Sequence, residues 1–177
     1  MKLPKILAEL SGIRVAALST HVTVRTTPRT MNTPISAILE RKGPAVHAVS
    51  ANYTIDRAVD EMNRHRIGSI VVMEGNRLAG IFTERDVLRR VVGASLDPKV
   101  MRVADVMTKD LITVTPETTI EEVMEIFADK RVRHLPVMVN DQMVGLISIG
   151  DISRWIADSH RTEAEHLKNY ISGGYSA

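Results

Sequence analysis

Cysteine is absent from the 177 residues, which removes disulfides, thiol nucleophiles and cysteine-ligated zinc together. Aromatic residues make up only 3%, so a core has to be filled by Val, Ile, Leu and Met. No apolar run approaches the roughly 18 residues of a membrane span, and no membrane association is expected. What is present, 44% hydrophobic and 25% charged residues, is the composition of an ordinary globular chain.

The pI near 9.0 invites a nucleic-acid partner, but the charge is unevenly placed. Lys2, Lys5, Arg14, Arg25 and Arg29 stand against Glu9 alone in residues 1–33, while the whole chain is only +2. The remainder is therefore slightly acidic, and no nucleic-acid partner is expected for it. Residues 1–33 read as a basic leader. Glu9 and Arg14 interrupt its apolar stretch, against a secretory signal; an organellar transit peptide, a disordered bacterial leader and an overlong translation start all fit. The expectation is a soluble intracellular protein, cytoplasmic if bacterial and in the mitochondrial matrix if the leader is a transit peptide.

The rest of the chain is one module written twice. GIFTERD at Gly80–Asp86 returns as GLISIGD at Gly145–Asp151, and a register of 65 residues carries Ile55 onto Ile120, Arg66 onto Arg131, Val72 onto Val137 and Met73 onto Met138. Units this small must pack against each other to close a core, and the seam between them suits a ligand. Each opens with a short apolar segment, Ile35–Leu39 or Val103–Met107, then a brief strand, Val46–Val49 or Leu111–Val114. A helix follows, with Ile55, Ala58, Val59 and Met62, or Ile120, Val123, Met124 and Phe127, on one face. Thr54 marks the first helix start, and Thr119 with Glu122 forms a capping box at the second. Two strands come next, Ile70–Met73 with Leu78–Phe82 and Leu135–Val139 with Met143–Ile147; a last helix runs from Thr83 to about Val92, or from Ser148 to about Ala157. The expected fold class is α/β (α+β), two β-α-β-β-α repeats, with units at 34–98 and 99–157 and a C-terminal helix and tail at 158–177. Ile152, Trp155 and Ile156, then Leu167, Tyr170 and Ile171, give that tail an apolar stripe for its own domain or a partner helix.

Thr83 with Asp86, and Ser148 with Asp151, have a purely structural reading: each caps a helix and sets a carboxylate in its positive first turn. The motif comes twice at one repeat phase, each time behind a glycine that lets backbone approach a bound group. A carboxylate so fixed accepts two hydrogen bonds from a vicinal diol, as in dinucleotide sites, and the turn's hydroxyl and amides suit a sugar oxygen or phosphate. Arg133 and His134 before Pro136 offer donors to phosphate, or form a solvated loop. At the matching phase the first unit has Ile67, Gly68 and Ser69, a smooth wall suited to a flat base.

Two copies of strand, helix, strand, strand and Gly-h-h-Thr/Ser-x-x-Asp, spanning about Ile35 to Ala157, resemble a tandem pair of CBS domains, named after cystathionine β-synthase. TERD, RHLPV, LISIGD and LKNYISGG are similar to the small stand-alone pairs of bacteria and plant organelles. The resemblance implies a pseudo-twofold module with two clefts for adenosine derivatives (AMP, ADP, ATP, NAD or S-adenosylmethionine), energy or redox sensing without catalysis, and disc-like homodimers. It further implies that Asp151 holds a ribose beside Ser148 and Gly150, that His47, Ile67, Gly68 and Ser69 meet the adenine, and that Arg133 and His134 reach its phosphates. In the other cleft Asp86 takes the ribose, Thr83 and Arg85 face phosphate, and Ile112 and Val132 line the base.

No catalytic residue is expected. Ser148, His134 and Asp151 are the types of a catalytic triad, but the local run is one residue out of register with a nucleophile elbow. Six histidines lack metal-ligand spacing. CBS pairs also occur inserted in inosine-monophosphate dehydrogenase and in transporters; with no barrel or span here, the expected role is regulation of a separate, unidentified protein. The competing readings are a structural dimerisation module with degenerate clefts and a detached regulatory relative of that dehydrogenase.

Overall fold

The protein is described by a computed structural model covering residues 30–43 and 45–173. The leader up to residue 29 and the side chains of Leu167, Tyr170 and Ile171 lie outside the described residues. In chain order the elements are α1 (Ser36–Lys42), β1 (Ala48–Ser50), α2 (Ile55–His65), β2 (Ser69–Glu74), β3 (Arg77–Thr83) and α3 (Glu84–Asp86), which continues as a π-helical stretch, Val87–Val92. Then follow α4 (Val103–Val106), α5 (Ile120–Lys130), β4 (His134–Val139), β5 (Gln142–Ser148) and α6 (Ile149–Gly173). The mixed α/β class and the doubled unit are as the sequence implies.

Local chemistry sets the boundaries. At α5 the Thr119 hydroxyl accepts from Glu122 N at 3.3 Å while the Glu122 carboxylate accepts from Thr119 N at 2.7 Å, a reciprocal cap. Helices α2 and α5 both stop at a left-handed arginine, Arg66 and Arg131, each with φ 54°. Asn140 and Asp141, both at positive φ, make the tight turn between β4 and β5. Strands β2–β3 and β4–β5 pair antiparallel, with an irregularity between Val72 and Met73 that recurs between Val137 and Met138. The duplication therefore extends to backbone defects.

The units differ at their first strand. Strand β1 runs parallel to β2, with Val71 N donating to His47 O at 3.2 Å. The expected strand at Leu111–Val114 is reduced to a single bridge, Val114 with Val137. Pro136 occupies the place of Val71 and has no N–H to give Ile112, so the ladder cannot extend. Nor does α6 end near Ala157: between Asp151 and Ser172 there is neither Gly nor Pro, and one helix runs on to Gly173.

Two cores form, and they exchange their opening segments. Val103, Val106 and Met107 of the second unit bury themselves with Ile55, Met62, Ile70 and Phe82 of the first. Ile35 and Ile38 of the first unit join Ile120, Phe127, Leu135 and Ile147 of the second. Stretches 34–98 and 99–157 are thus interlocked. Gly80 and Gly145 serve this exchange and not the approach of a ligand: a Cβ on Gly80 would lie 2.7 Å from Thr108 O, and one on Gly145 2.6 Å from Leu39 Cδ2.

The cores also settle what stays at the surface and where the leader ends. The helix faces from Ile55 to Met62 and from Ile120 to Phe127 are spent inside the cores, so they are not free for a dimer; among the described residues Leu88, Val92 and Val100 are the large apolar side chains most exposed, at 66%, 65% and 72%. Residues 31–33 belong to the fold, because Glu121 N and Ile120 N, at the start of α5, donate to Met31 O and Thr33 O, both at 3.0 Å. The first turn of a helix has no internal acceptors for its amides, and the chain supplies two here.

Candidate functional site

Each last helix starts on the predicted Thr/Ser-x-x-Asp box. In the first unit Thr83 N and Oγ1 donate to Asp86 Oδ2 at 3.0 and 2.7 Å, and Asp86 N donates back to Thr83 Oγ1 at 3.3 Å. In the second, Ser148 N and Oγ donate to Asp151 Oδ2 at 2.9 and 2.7 Å, with Asp151 N returning 3.2 Å to Ser148 Oγ. The capping role is real in both. It consumes one carboxylate oxygen in each; the other oxygen of Asp86 lies 3.4 Å from an Arg90 guanidinium nitrogen.

The interlock makes the clefts composite. Asp86 and Thr83 of the first unit face Val132, Arg133 and His134 of the second across a cavity of about 360 Å³. Ser148 and Asp151 of the second unit face Ile67, Gly68 and Ser69 of the first, with Val46 and His47, across about 340 Å³. Arg85 and Ile112 line the Asp86 cleft as expected. His134, at the head of β4, lines both. Gly150 lines neither.

Arg133 is a correction. The sequence reading sets it beside Asp151, but it lines the Asp86 cleft. The turn before β4 faces the box of the first repeat, where Val132 was expected, and Arg133 follows its neighbour there. Sequence reasoning also missed Arg89, Arg90 and Arg131, which join Arg85 and Arg133 in that cleft. Arg85 and Arg89 were findable, being one helical turn apart on the face that carries Asp86 and Arg90; Arg131 follows from no pattern short of the fold. Arg90 is tied inward, to Val106 O at 2.7 Å and Asp86 Oδ1 at 3.4 Å. Arg85, Arg89, Arg131 and Arg133 have no carboxylate partner among the described residues.

The Asp151 cleft contains a cation of its own, Lys42, whose Nζ donates to Asp151 Oδ2 at 2.8 Å and to Leu146 O at 2.9 Å. Burial pushes the Asp151 carboxyl up, but Lys42 and the two Ser148 donors outweigh it and hold the group below 3.8. Burial, then the charges of Arg133 and Lys42, hold His134 below 6.5, against the opposing pull of Asp151. Ser148 Oγ is committed to Asp151, so Ser148, His134 and Asp151 are not ordered as nucleophile, base and orienting acid. Among the described residues no group of three His, Asp or Glu side chains could hold a metal ion, and no helix is long and apolar enough to cross a membrane.

These features define a doubled α/β module with two ligand-sized clefts between its repeats. The sequence pattern of the CBS domain matches residues 31–93 and 103–158. The mitochondrial CBS domain-containing protein CBSX3 of Arabidopsis thaliana is 39% identical over 153 residues, 81% of this chain and 74% of that one. A solved protein with CBS domains from Burkholderia ambifaria superposes with a TM-score of 0.67 at 35% identity, covering 70% of this chain and 93% of that one. A hexameric CBS-CP12 protein from bloom-forming cyanobacteria superposes with a TM-score of 0.61 at 26% identity, covering 81% of this chain and 85% of that one. The chain belongs to the CBS-domain family and carries two CBS domains in tandem.

Proposed function

We propose that this CBS pair is a regulatory module that binds an adenosine nucleotide (AMP, ADP, ATP or NAD), acts on a partner protein in energy or redox sensing, and catalyses nothing itself. The observation that carries this reading is the Asp86 cleft, where one repeat offers a carboxylate for a ribose and both repeats contribute arginines without carboxylate partners. Guanidinium forks match phosphate oxygens, and Val132 and Ile112 provide an apolar wall for a base. The Ser148 commitment to Asp151 supports a binding role over a catalytic one.

Melting the protein with each nucleotide tests the reading, since a ligand at 100 times its dissociation constant adds about 2.7 kcal/mol. No stabilisation by any of the four at millimolar concentration would rule it out. A structural module with unused clefts is then the better reading, and exposed Leu88 and Val92 on one π-helical stretch favour it. The same two residues support a homodimer under either reading, because two-fold pairing of like surfaces is the commonest way to cover such a patch. Similarity to the mitochondrial Arabidopsis protein supports an organellar compartment.

A further inference from the structure

The two opening segments correspond at a spacing of 68 residues, Leu39 against Gly145 and Met107 against Gly80, whereas helices and strands correspond at 65. Three extra residues therefore lie between Leu39 and Val46. They lengthen the first opening helix: α1 has 7 residues where α4 has 4. The added turn is Glu40, Arg41 and Lys42, and it reaches into the Asp151 cleft.

That turn is fixed at several points. Arg41 pairs with Asp158 of α6 and lies over the Trp155 ring, 5.9 Å from its centroid. Gly43, at φ 84°, ends the helix and donates its N–H to Leu39 O, which sends the chain into the facing wall at Val46 and His47. Lys42 is thereby held on Asp151 Oδ2, an oxygen that already accepts both Ser148 donors. The added turn has no counterpart in α4; the residue 68 positions on from Lys42 is Asp110, which lines the other cleft and is an acid that cannot pair with Asp86. One cleft contains a built-in cation and the other has none from this position.

We infer that Lys42 is an internal latch on the Asp151 cleft, its ammonium neutralising Asp151 and filling the space beside it that a ligand sugar would need, so that each chain binds one nucleotide, in the Asp86 cleft. The Asp151 cleft opens only when the last turn of α1 lets go. This rests on the nucleotide reading for its stoichiometry, but the latch itself is a property of the free protein.

Two measurements test it. In free protein, acetylation with an amine-reactive reagent, read residue by residue by mass spectrometry, should modify Lys42, exposed but ion-paired, several-fold more slowly than Lys109 and Lys130, which are likewise exposed and have no carboxylate partner among the described residues, and Asp151→Asn should bring Lys42 to their rate. Titration calorimetry with ATP should give one site per chain for the natural sequence and two for Lys42→Met. Lys42 reacting as fast as Lys109 in the natural protein overturns the latch. So do two sites in the natural protein, or one site persisting in Lys42→Met while circular dichroism shows the fold intact. If no variant binds nucleotide, the nucleotide reading fails and the acetylation rates alone decide the latch.

Discussion

Gly80 lies against Met107 so closely that a Cβ at residue 80 would fall 2.6 Å from the Met107 sulfur and 2.7 Å from Thr108 O. Thr108 is also the residue that bridges to Ile81, by a pair of backbone hydrogen bonds of 3.0 and 2.9 Å. The exchange of opening segments between repeats is thus pinned at a glycine.

Gly80→Ala should accordingly destabilise the protein by about 1–3 kcal/mol, the usual cost of forcing a methyl into a packed core. Gly145→Ala should cost less, because the atom it meets is the end of the Leu39 side chain, which can rotate, and not backbone. Urea unfolding of the two variants would show the order. Equal losses would mean that the backbone contact at Thr108 yields as easily as a side chain.

Asp86→Ala should lose twice. Removing the capping box weakens the start of α3 by about 1 kcal/mol, and losing a charged acceptor should weaken nucleotide binding by about 1.5–3 kcal/mol. Calorimetry on a variant whose fold is verified by circular dichroism separates the effects. Unchanged affinity would leave Asp86 as a cap alone.

Replacing Arg131 and Arg133 together by alanine should weaken ATP binding far more than adenosine binding, since both face the Asp86 cleft without a carboxylate partner. Added salt should reduce ATP affinity in the natural protein and leave adenosine nearly untouched. Parallel losses for the two ligands would show that the arginines shape the pocket and do not read phosphate.

His134 sets a pH dependence. Its folded value lies below 6.5, burial being the main cause, so below 6.5 the unfolded chain takes up the proton more readily. The stability it contributes is complete above that value and is lost as pH falls through the folded one. Urea midpoints should drop across this window in the natural protein and drop less in His134→Gln; identical profiles would exclude the residue. A phosphate bound beside His134 should raise its proton affinity, so nucleotide binding should tighten as pH falls.

A chain beginning at Pro34 should be less stable than one beginning at Thr30. It lacks the carbonyls of Met31 and Thr33 that receive Glu121 N and Ile120 N, and each buried amide left without an acceptor costs about 1–3 kcal/mol. Thermal melts of the two chains would decide. Equal stability would mean water replaces both carbonyls without cost.

The doubled Thr/Ser-x-x-Asp box, the two amphipathic helices and the paired strands were legible because each depends on residues close in sequence: a hydroxyl three positions from a carboxylate, apolar side chains at helical spacing, glycine or Asn-Asp at a turn. Those local rules determined the α/β repeat and nominated Asp86 and Asp151. They could not determine which turn faces which box; the family resemblance set Ile67, Gly68 and Ser69 against Asp151 and Val132 against Asp86, as observed, but misplaced Arg133. The exchange of Ile35 and Ile38 for Val103 and Val106 is a choice between two equally apolar segments, and only packing against Gly145 and Gly80 decides it. Once that choice is made, Arg133 passes to the Asp86 cleft, five arginines converge there, and Lys42 arrives on an aspartate 109 residues away. The contrast of Arg133 and His134 with Gly68 and Ser69 already made the two clefts unequal in the sequence, but charge placed by long-range contact has no signature in a local pattern, and the tertiary structure alone decided which cleft receives the arginines.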